Sequence, residues 1–243
     1  MTDYYRSPGF VIAKNDLREA DQVFSFFSRD FGKVEILGRA IRKIKSKLRA
    51  GVDLIYFSEL EFIQGKAYKT LTDSSAIEKF KNIRRDLNKL EIAHRICETA
   101  NTLIRGQEKD EGIYNLLDET FKRLNDETVN QELIYYHFFW NFVSILGYQM
   151  DLYDCPLCQK KLMPESLFFK PEEGGIVCLK CLYLKEKEEK IKISPEAIKI
   201  IRFLTENDWN MISKLKFENQ HLKYLEDLSS RYLSHVKGTA HCV

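Results

Sequence analysis

"GFVIAKNDLREADQVFSFFSRDFGKVEILGR", residues 9–39, decides the fold of the first part of the chain, because three short runs in it are rich in β-branched and aromatic residues. Two more runs of this kind follow, and polar or glycine-containing steps separate neighbouring runs. The predicted strands cover 9–14, 22–29, 33–39, 52–65 and 66–73. Five short strands in about seventy residues predict a small closed barrel, and the OB-fold is the five-stranded barrel most used for single-stranded nucleic acid.

A basic segment, residues 33–49, begins in the third predicted strand and ends before the fourth. It reads "KVEILGRAIRKIKSKLR" and carries seven basic residues and one acidic residue, a local charge of +6 in a chain of net charge +2. Such an asymmetry concentrates positive potential on one face, as a polyanion-binding surface requires. The alternative is a solvated basic loop that only improves solubility.

Six aromatic side chains in or beside the predicted strands offer ring faces on which bases can stack. They are Phe24, Phe26, Phe27, Tyr56, Phe57 and Tyr68. A barrel this small needs its bulky residues inside, so we expect most of the six to be core. Where a base does stack on one of them, the contact contributes roughly 1–3 kcal/mol.

After Asp73 the apolar residues follow a spacing of three and four, which is typical of helices. His94 and Cys97 lie on the first helical stripe, and we expect both to be core residues. The last of the helices before the cysteine-rich region is apolar nearly all round, which favours burial in a bundle. The predicted helices cover 80–104, 113–124, 130–148 and two segments beyond 194.

Four of the six cysteines form two Cys-x-x-Cys pairs. Two intervening residues let both sulfurs of a pair face one ion, and two pairs complete the tetrahedral sulfur site that Zn²⁺ prefers. Such a site has no open position for water, so a structural role is expected. The alternatives are buried thiols without a metal, or a redox pair, which would need a βαβ pattern. The predicted zinc ligands are Cys155, Cys158, Cys178 and Cys181.

Between the two cysteine pairs, the strands 167–170 and 176–178 around Gly174 and Gly175 predict a zinc ribbon. Seven basic and six acidic residues over 155–190 leave this ribbon nearly neutral, so it is expected to support the fold or contact protein. Helices on both sides indicate an insertion at about 152–190 in a helical domain. The sequence therefore predicts an α+β protein with an OB-fold domain over 1–75 and a helical domain over 76–243.

The composition argues against a secreted or membrane protein. "MTDYYRSPGF" at the start of the chain has no basic segment followed by an apolar run, and no stretch approaches about eighteen uncharged apolar residues. A cytosolic protein is expected, and disulfides are rare in that compartment. The motifs G-x-x-x-x-G-K-[ST], H-E-x-x-H, G-x-S-x-G and G-x-G-x-x-G are absent, so these routes to catalysis lack their parts.

In order and content the chain resembles the bacterial recombination mediator family RecO over nearly its full length. The matching stretches are residues 9–39, the basic segment, "LIYFSELEF", "FVSILGYQMDLYDCPLC" and the second cysteine pair "CLKC". The shortest signatures are Glu19-Ala20-Asp21, Phe31-Gly32-Lys33 and Leu146-Gly147-Tyr148. Each signature is weak alone, and their order along the chain carries the resemblance.

The resemblance implies a bacterial, cytoplasmic and nucleoid-associated protein of DNA repair and recombination that is not an enzyme. Members of the family bind single- and double-stranded DNA and anneal complementary strands. They work with RecR and with the single-strand-binding protein SSB, whose acidic tail docks on the helical domain, to load RecA. The positions that the resemblance assigns to DNA binding are Arg39, Arg42, Lys43, Lys45, Lys47 and Arg49.

Two other classes of function stay open at this point. A zinc-ribbon adaptor that mainly binds proteins would leave the basic segment unexplained. A nucleic-acid enzyme with an unrecognised active site would need catalytic residues scattered along the chain. DNA-binding and strand-annealing assays separate these classes.

Overall fold

The structure is a computed structural model that describes residues 3–65, 67–126, 130–164, 167–183, 191–206, 209 and 219–239. The chain divides into two compact units, Met1–Tyr135 and Tyr136–Val243. These units are groups of residues that pack together. The division into domains over 1–75 and 76–243 stays a prediction.

The described strands of the first unit form a closed five-stranded barrel. Its strands are β1 (Tyr4–Asp16), β2 (Gln22–Ser28), β3 (Gly32–Gly38), β4 (Phe57–Ile63) and β5 (Lys69–Glu78). They close in the order β1-β2-β3-β5-β4, in which β3 and β5 run parallel and the other neighbours run antiparallel. The barrel confirms the predicted OB-fold, and the chain as a whole is α+β.

The fourth strand begins five residues later than predicted, at Phe57. The preceding residues instead form a turn, in which the Tyr56 N–H donates to the Asp53 carbonyl (3.1 Å) and Ile55 adopts a left-handed backbone conformation with φ 73°. Val52 and Ile55 are buried although they lie outside a strand. Their apolar side chains therefore gave the sequence the pattern of a strand. Position 66, where the fifth strand was expected to begin, lies outside the described residues.

Side chains from alternate strand positions fill the barrel, since successive residues of a strand point to opposite faces. The barrel core contains Val11, Phe24, Phe26, Val34, Ile36, Leu60, Phe62 and Leu71. A second aromatic cluster covers the outside of β1 and β4. There the Phe10 ring lies 4.9 Å from Phe57, 5.8 Å from Tyr114 and 5.6 Å from Phe121, between ring centroids. The barrel therefore packs against a helix of the same unit.

After the barrel, the described residues up to Asp126 form the helices α1 (Lys81–Arg85), α2 (Leu87–Leu103) and α3 (Glu111–Asp126). The single helix predicted over 80–104 is broken at Asp86, whose carboxylate accepts the N–H groups of Asn88 (2.9 Å) and Lys89 (3.2 Å) and caps α2. The break changes which residues face inward. Cys97 is buried as predicted, but His94 is exposed, so its prediction as a core residue is wrong.

Helix α4 (Gln131–Ile145) contains the division between the two units. Ten of its fifteen residues are buried, which confirms the predicted helix that is apolar all round. Among its described residues, the second unit also contains the helices α5 (Leu179–Leu182), α6 (Pro195–Thr205) and α7 (Asn219–Thr239). Among the described residues, no helix combines the length and the apolar composition that a membrane span requires.

A small sheet lies between α4 and α6 in the chain, and the second cysteine pair begins at the last residue of one of its strands. Its strands are β6 (Leu167–Lys170), β7 (Gly175–Cys178) and β8 (Ile191–Ile193), in the order β7-β6-β8. Gly174 adopts φ 80° in the turn between β6 and β7, where a side chain would be strained. The two predicted strands are confirmed, and β8 adds an antiparallel neighbour that the sequence did not predict.

Candidate nucleic-acid interface and metal centre

The basic loop, residues 39–49, follows β3 and is fixed to the barrel at its first half. Ile41 is buried in the barrel core. The Arg42 N–H donates to the Ala20 carbonyl (3.0 Å), and the Ala40 N–H donates to the Asp21 carboxylate (2.7 Å). These bonds tie the loop to the connection between β1 and β2.

The second half of the loop is held by β4 and β5. Leu48 packs against the barrel core, and its carbonyl accepts a hydrogen bond from the Ser74 hydroxyl (2.7 Å). The buried Ser58 hydroxyl donates to the carbonyl of Gly51, at the end of a short 3₁₀ turn (2.8 Å). The backbone of the loop is therefore anchored on both sides, while its charged side chains stay outside.

We expect Gly51→Ala to destabilise the barrel. A Cβ atom at this position would lie 2.5 Å from the carbonyl carbon and oxygen of Ser74, a distance that backbone atoms do not tolerate. Overpacking of this kind costs about 1–3 kcal/mol. Thermal unfolding measures the loss. The matched control is Gly238→Ala in α7, where nothing lies within 4 Å of the added methyl group, and an unchanged midpoint for Gly51→Ala would contradict the expected clash.

All six cations that the family resemblance assigns to DNA binding are exposed: Arg39, Arg42, Lys43, Lys45, Lys47 and Arg49. Two basic residues of the segment 33–49 have partners in the protein. Arg42 Nη1 lies 3.1 Å from Asp16 Oδ2, and Lys33 Nζ donates to the carbonyls of Asn101 (2.5 Å) and Ile104 (3.2 Å) at the end of α2. Burial lowers the pKa of Lys33, and the charge of Glu35 opposes this shift.

A cationic cavity of about 640 Å³ lies on one side of the basic loop. Arg42 and Arg49 of the loop line it, together with Lys14 of β1 and with Lys79, which follows β5. Tyr56 also lines this cavity, and its ring is covered by the Arg84 guanidinium (4.5 Å to the ring centroid) and by Lys79 Nζ (5.4 Å). Asp53 partly balances the charge through Lys14 Nζ at 2.9 Å.

A second depression, the loop groove, has a volume of about 920 Å³ and lies between the β1–β2 and β4–β5 connections. Arg18, Arg39 and Tyr68 line it. OB-folds bind oligonucleotides through these two connections and the face of strands 2 and 3. The sequence analysis did not select Arg18 as a candidate. Its position in the connection between β1 and β2 would have indicated it.

Most of the aromatic candidates for base stacking have ring faces that a ligand cannot reach. Phe24, Phe26 and Phe27 are fully buried, which confirms that they are core. Tyr68 is 37% exposed and lines the loop groove, so it is the candidate whose position fits a ligand best.

The four predicted metal ligands come together in the second unit. The Sγ atoms of Cys155, Cys158, Cys178 and Cys181 all lie within 4.8 Å of one another. Cys158 Sγ and Cys178 Sγ are 3.9 Å apart. Metal–sulfur bonds of about 2.3 Å in a tetrahedron place the sulfurs about 3.8 Å apart, so this cluster can hold a metal ion.

The surroundings of the cluster favour a bound cation. Cys155 and Cys181 are buried, and Val177, Leu182 and Phe168 pack around them. Burial opposes ionisation of Cys155, but backbone N–H groups, those of Cys178 and Cys158 among them, outweigh it and lower its pKa to about 7. Burial raises the pKa of Cys181, which also bonds to the other thiols. Ionisation of all four thiols at these distances would require a compensating positive charge, which a bound metal ion would supply.

The second unit also contains a cavity of about 670 Å³, whose lining includes Trp140, Asp151, Tyr153, Asp154 and Glu206. The Asp151 carboxylate accepts the backbone N–H groups of Tyr153 and Asp154, each at 2.9 Å. The Tyr153 hydroxyl donates to Glu206 at 2.8 Å. Three carboxylates line the described part of this cavity, and the Arg202 guanidinium lies over the Tyr153 ring, 4.2 Å from its centroid.

Comparisons with known proteins cover nearly the whole chain. The family described as "Recombination protein O N terminal" matches residues 1–80, and "Recombination protein O C terminal" matches residues 84–239. A DNA repair protein RecO from Dehalococcoides mccartyi is 32% identical over 222 residues, which are 91% of this chain and 86% of the relative. Proteins of the same name from Thermoanaerobacter sp. and Acetivibrio thermocellus are 24% and 26% identical and match 94% and 95% of this chain. The matches cover 90% and 91% of these two relatives.

The OB-fold barrel, the helices and the inserted cysteine cluster, with family matches that span both parts, define a protein of the DNA-recombination class. The chain belongs to the RecO family. This confirms the resemblance that rested on the order of short signatures along the sequence.

Proposed function

We propose that this protein is a recombination mediator that binds single- and double-stranded DNA through its barrel and anneals complementary strands. The observation that carries the proposal is the anchored basic loop, which lies between the cationic cavity and the loop groove on a closed OB-fold. Cations on a fixed backbone can follow a phosphate chain without reading its sequence. Family membership supports a role in DNA repair and recombination.

The residues that we assign to the phosphate contacts are Arg39, Arg42, Lys43, Lys45, Lys47 and Arg49. Their exposure supports the assignment. Arg39 faces the loop groove, whereas Arg42 and Arg49 face the cationic cavity, so a strand that contacts all six would cross the loop between the two depressions. Strand binding and annealing form or break no covalent bond in the DNA. We therefore propose that the protein is not an enzyme.

We further propose that the four cysteines bind one Zn²⁺ with a structural role. The sulfur distances support a tetrahedral site, and thiolate ligands with short Cys-x-x-Cys spacing suit zinc. The ion would join the turn before β6 to the end of β7. Four protein ligands leave no position for water, so the ion would hold the ribbon together and take no part in the contact with DNA.

The proposed partners are RecR and the acidic carboxyl-terminal tail of SSB, and the proposed result of their joint action is the loading of RecA. Family membership supports these partners, and with them we propose a location in the bacterial cytoplasm with the nucleoid. The helical part of the chain is proposed to receive the SSB tail. The cavity near Asp151 combines three carboxylates with the neighbouring Arg202, so we do not assign the tail to it.

An annealing assay tests the function and the SSB contact together. Two complementary labelled strands are coated with the organism's own SSB, and the purified chain is added. We expect annealing with intact SSB and a loss of annealing with SSB that lacks its last acidic residues. Uncoated strands provide the control, because they should anneal in either case. Failure to anneal uncoated strands would refute the mediator function, whereas equal annealing with both SSB forms would refute only the tail contact.

A further inference from the structure

An isoleucine stands at the tip of the basic loop with its side chain in solvent. Ile44 is 95% exposed. It occupies the first central position of a turn that the Ser46 N–H closes by donating to the Lys43 carbonyl (2.9 Å). Turns favour Gly, Pro, Asn, Asp and Ser for the backbone conformations and hydrogen bonds that they allow. The geometry of this turn therefore gives no reason for a β-branched apolar residue at its tip.

Single exposed apolar side chains are common on protein surfaces, so exposure alone carries no meaning. The setting of Ile44 is more specific. Lys43 and Lys45 flank it along the chain, and it lines the cationic cavity with Arg42 and Arg49. Apolar surface and several cations are thus combined within one short, anchored loop.

The other large apolar side chains that line this cavity already pack against the protein. Ile41 and Val52 are buried in the barrel core. The Tyr56 ring lies under Arg84 and Lys79. Of the described residues that line the cavity, Ile44 is thus the large apolar side chain that stays open to a ligand.

A ligand that satisfies this loop must carry negative charge and apolar surface in alternation. Single-stranded DNA does so, since its phosphates lie along the backbone and its unpaired bases expose ring faces. In a duplex those faces are stacked inside. An anionic lipid surface also combines charge and apolar chains, but a flat bilayer does not enter a cavity of about 640 Å³.

We propose that Ile44 packs against unpaired bases of single-stranded DNA, while the neighbouring cations hold the phosphates. The proposal rests on the function proposed above and adds to it a contact that distinguishes single strands from duplexes. Such a contact would keep bases unstacked and exposed, which is the state in which a complementary strand can pair with them.

Loss of the contact should lower the affinity for single strands without changing its salt dependence. Ile44→Ser removes the apolar surface, leaves every charge in place and suits a turn. We expect single-strand affinity to fall about tenfold, because burial of one aliphatic side chain contributes at least the free energy of one decade in affinity. The slope of log affinity against log salt should stay unchanged, because that slope counts phosphate contacts.

The test compares wild type and Ile44→Ser on three DNA ligands of equal length: a mixed-sequence single strand, a single strand of abasic residues, and a duplex. The matched control is Leu87→Ser, since Leu87 is 84% exposed at the start of α2. We expect the tenfold loss on the mixed-sequence strand alone. Wild type and variant should bind the abasic strand and the duplex within about twofold of each other, and Leu87→Ser should match wild type throughout.

Each other outcome would refute either the contact between Ile44 and the bases or the proposed DNA-binding function. Equal binding of the mixed-sequence strand by wild type and Ile44→Ser would refute the base contact. An equal loss on all three ligands would assign Ile44 to the backbone. A loss of vesicle binding, measured with anionic lipid, without a loss of DNA binding would assign the loop to membranes. If wild type binds none of the DNA ligands, the proposed function itself fails.

Discussion

Replacing Arg42, Lys43, Lys45 and Lys47 with alanine should weaken single-stranded DNA binding about a thousandfold at low salt and reduce annealing with it. Each phosphate contact on a single strand changes the slope of log affinity against log salt by about 0.7. Because Asp16 competes for Arg42, we expect the slope to flatten by roughly 2 to 3 units. Salt titrations of wild type and variant measure the difference.

The matched control removes four exposed lysines outside the barrel: Lys122, Lys192, Lys199 and Lys223. Both variants lower the net charge of the chain from +2 to −2, so general attraction to DNA falls equally in both. The thermal midpoint of the loop variant should stay near that of wild type, because exposed ion pairs contribute at most about 1 kcal/mol. A wild-type slope in the loop variant, or the same loss in the control, would leave the basic loop as a solvated surface.

Cys178→Ser should abolish the zinc site and unfold the ribbon. The purified wild-type chain is expected to contain one zinc per chain, and the variant little or none. Structural zinc contributes on the order of 10 kcal/mol in small metal-dependent modules. The sheet β7-β6-β8 has only short strands, so we expect its amide protons to lose protection from exchange. Elemental analysis after purification without chelators measures the metal, and hydrogen exchange measures the sheet.

Cys97→Ser is the control for this substitution, because Cys97 is a buried thiol of α2 outside the cysteine cluster. It should keep the full zinc content even if the hydroxyl lowers stability. Less than half an equivalent of zinc in wild type with unmodified thiols would count against the metal site. Full protection of β6 and β7 in Cys178→Ser would show that the ribbon does not depend on the ion.

The parts of the fold that the sequence predicted are those in which local pattern and tertiary packing agree. The alternation of Phe24 and Phe26 in β2 is visible without any knowledge of their partners. β8 was missed because a three-residue strand carries too few alternations, and its pairing partner β6 lies more than twenty residues earlier in the chain. The break between α1 and α2 is signalled by Asp86, which is a preferred N-cap residue, but the continuous apolar stripe concealed it.

The candidate site was predictable to the extent that it is built from neighbours in sequence. The cysteine pairs and the run of cations are short motifs, so spacing and composition were enough to find them. The partners that modify them come from far along the chain. Lys33 turns to the end of α2, 68 and 71 residues away, and the loop groove needs Arg18 and Tyr68 from separate connections. Such pairings depend on the closed barrel and leave no local signal.

The anchoring of the basic loop has a consequence for the thermodynamics of recognition. Ile41, Leu48 and the carbonyl of Gly51 are held by the barrel before any ligand arrives. Association therefore includes no folding step for the loop backbone, and only the side chains and the DNA lose conformational freedom. The heat capacity change of binding should be correspondingly small, because it reflects only the apolar surface that the strand covers. The encounter rate should be set by diffusion and charge, so the protein is ready for a strand that is exposed only briefly.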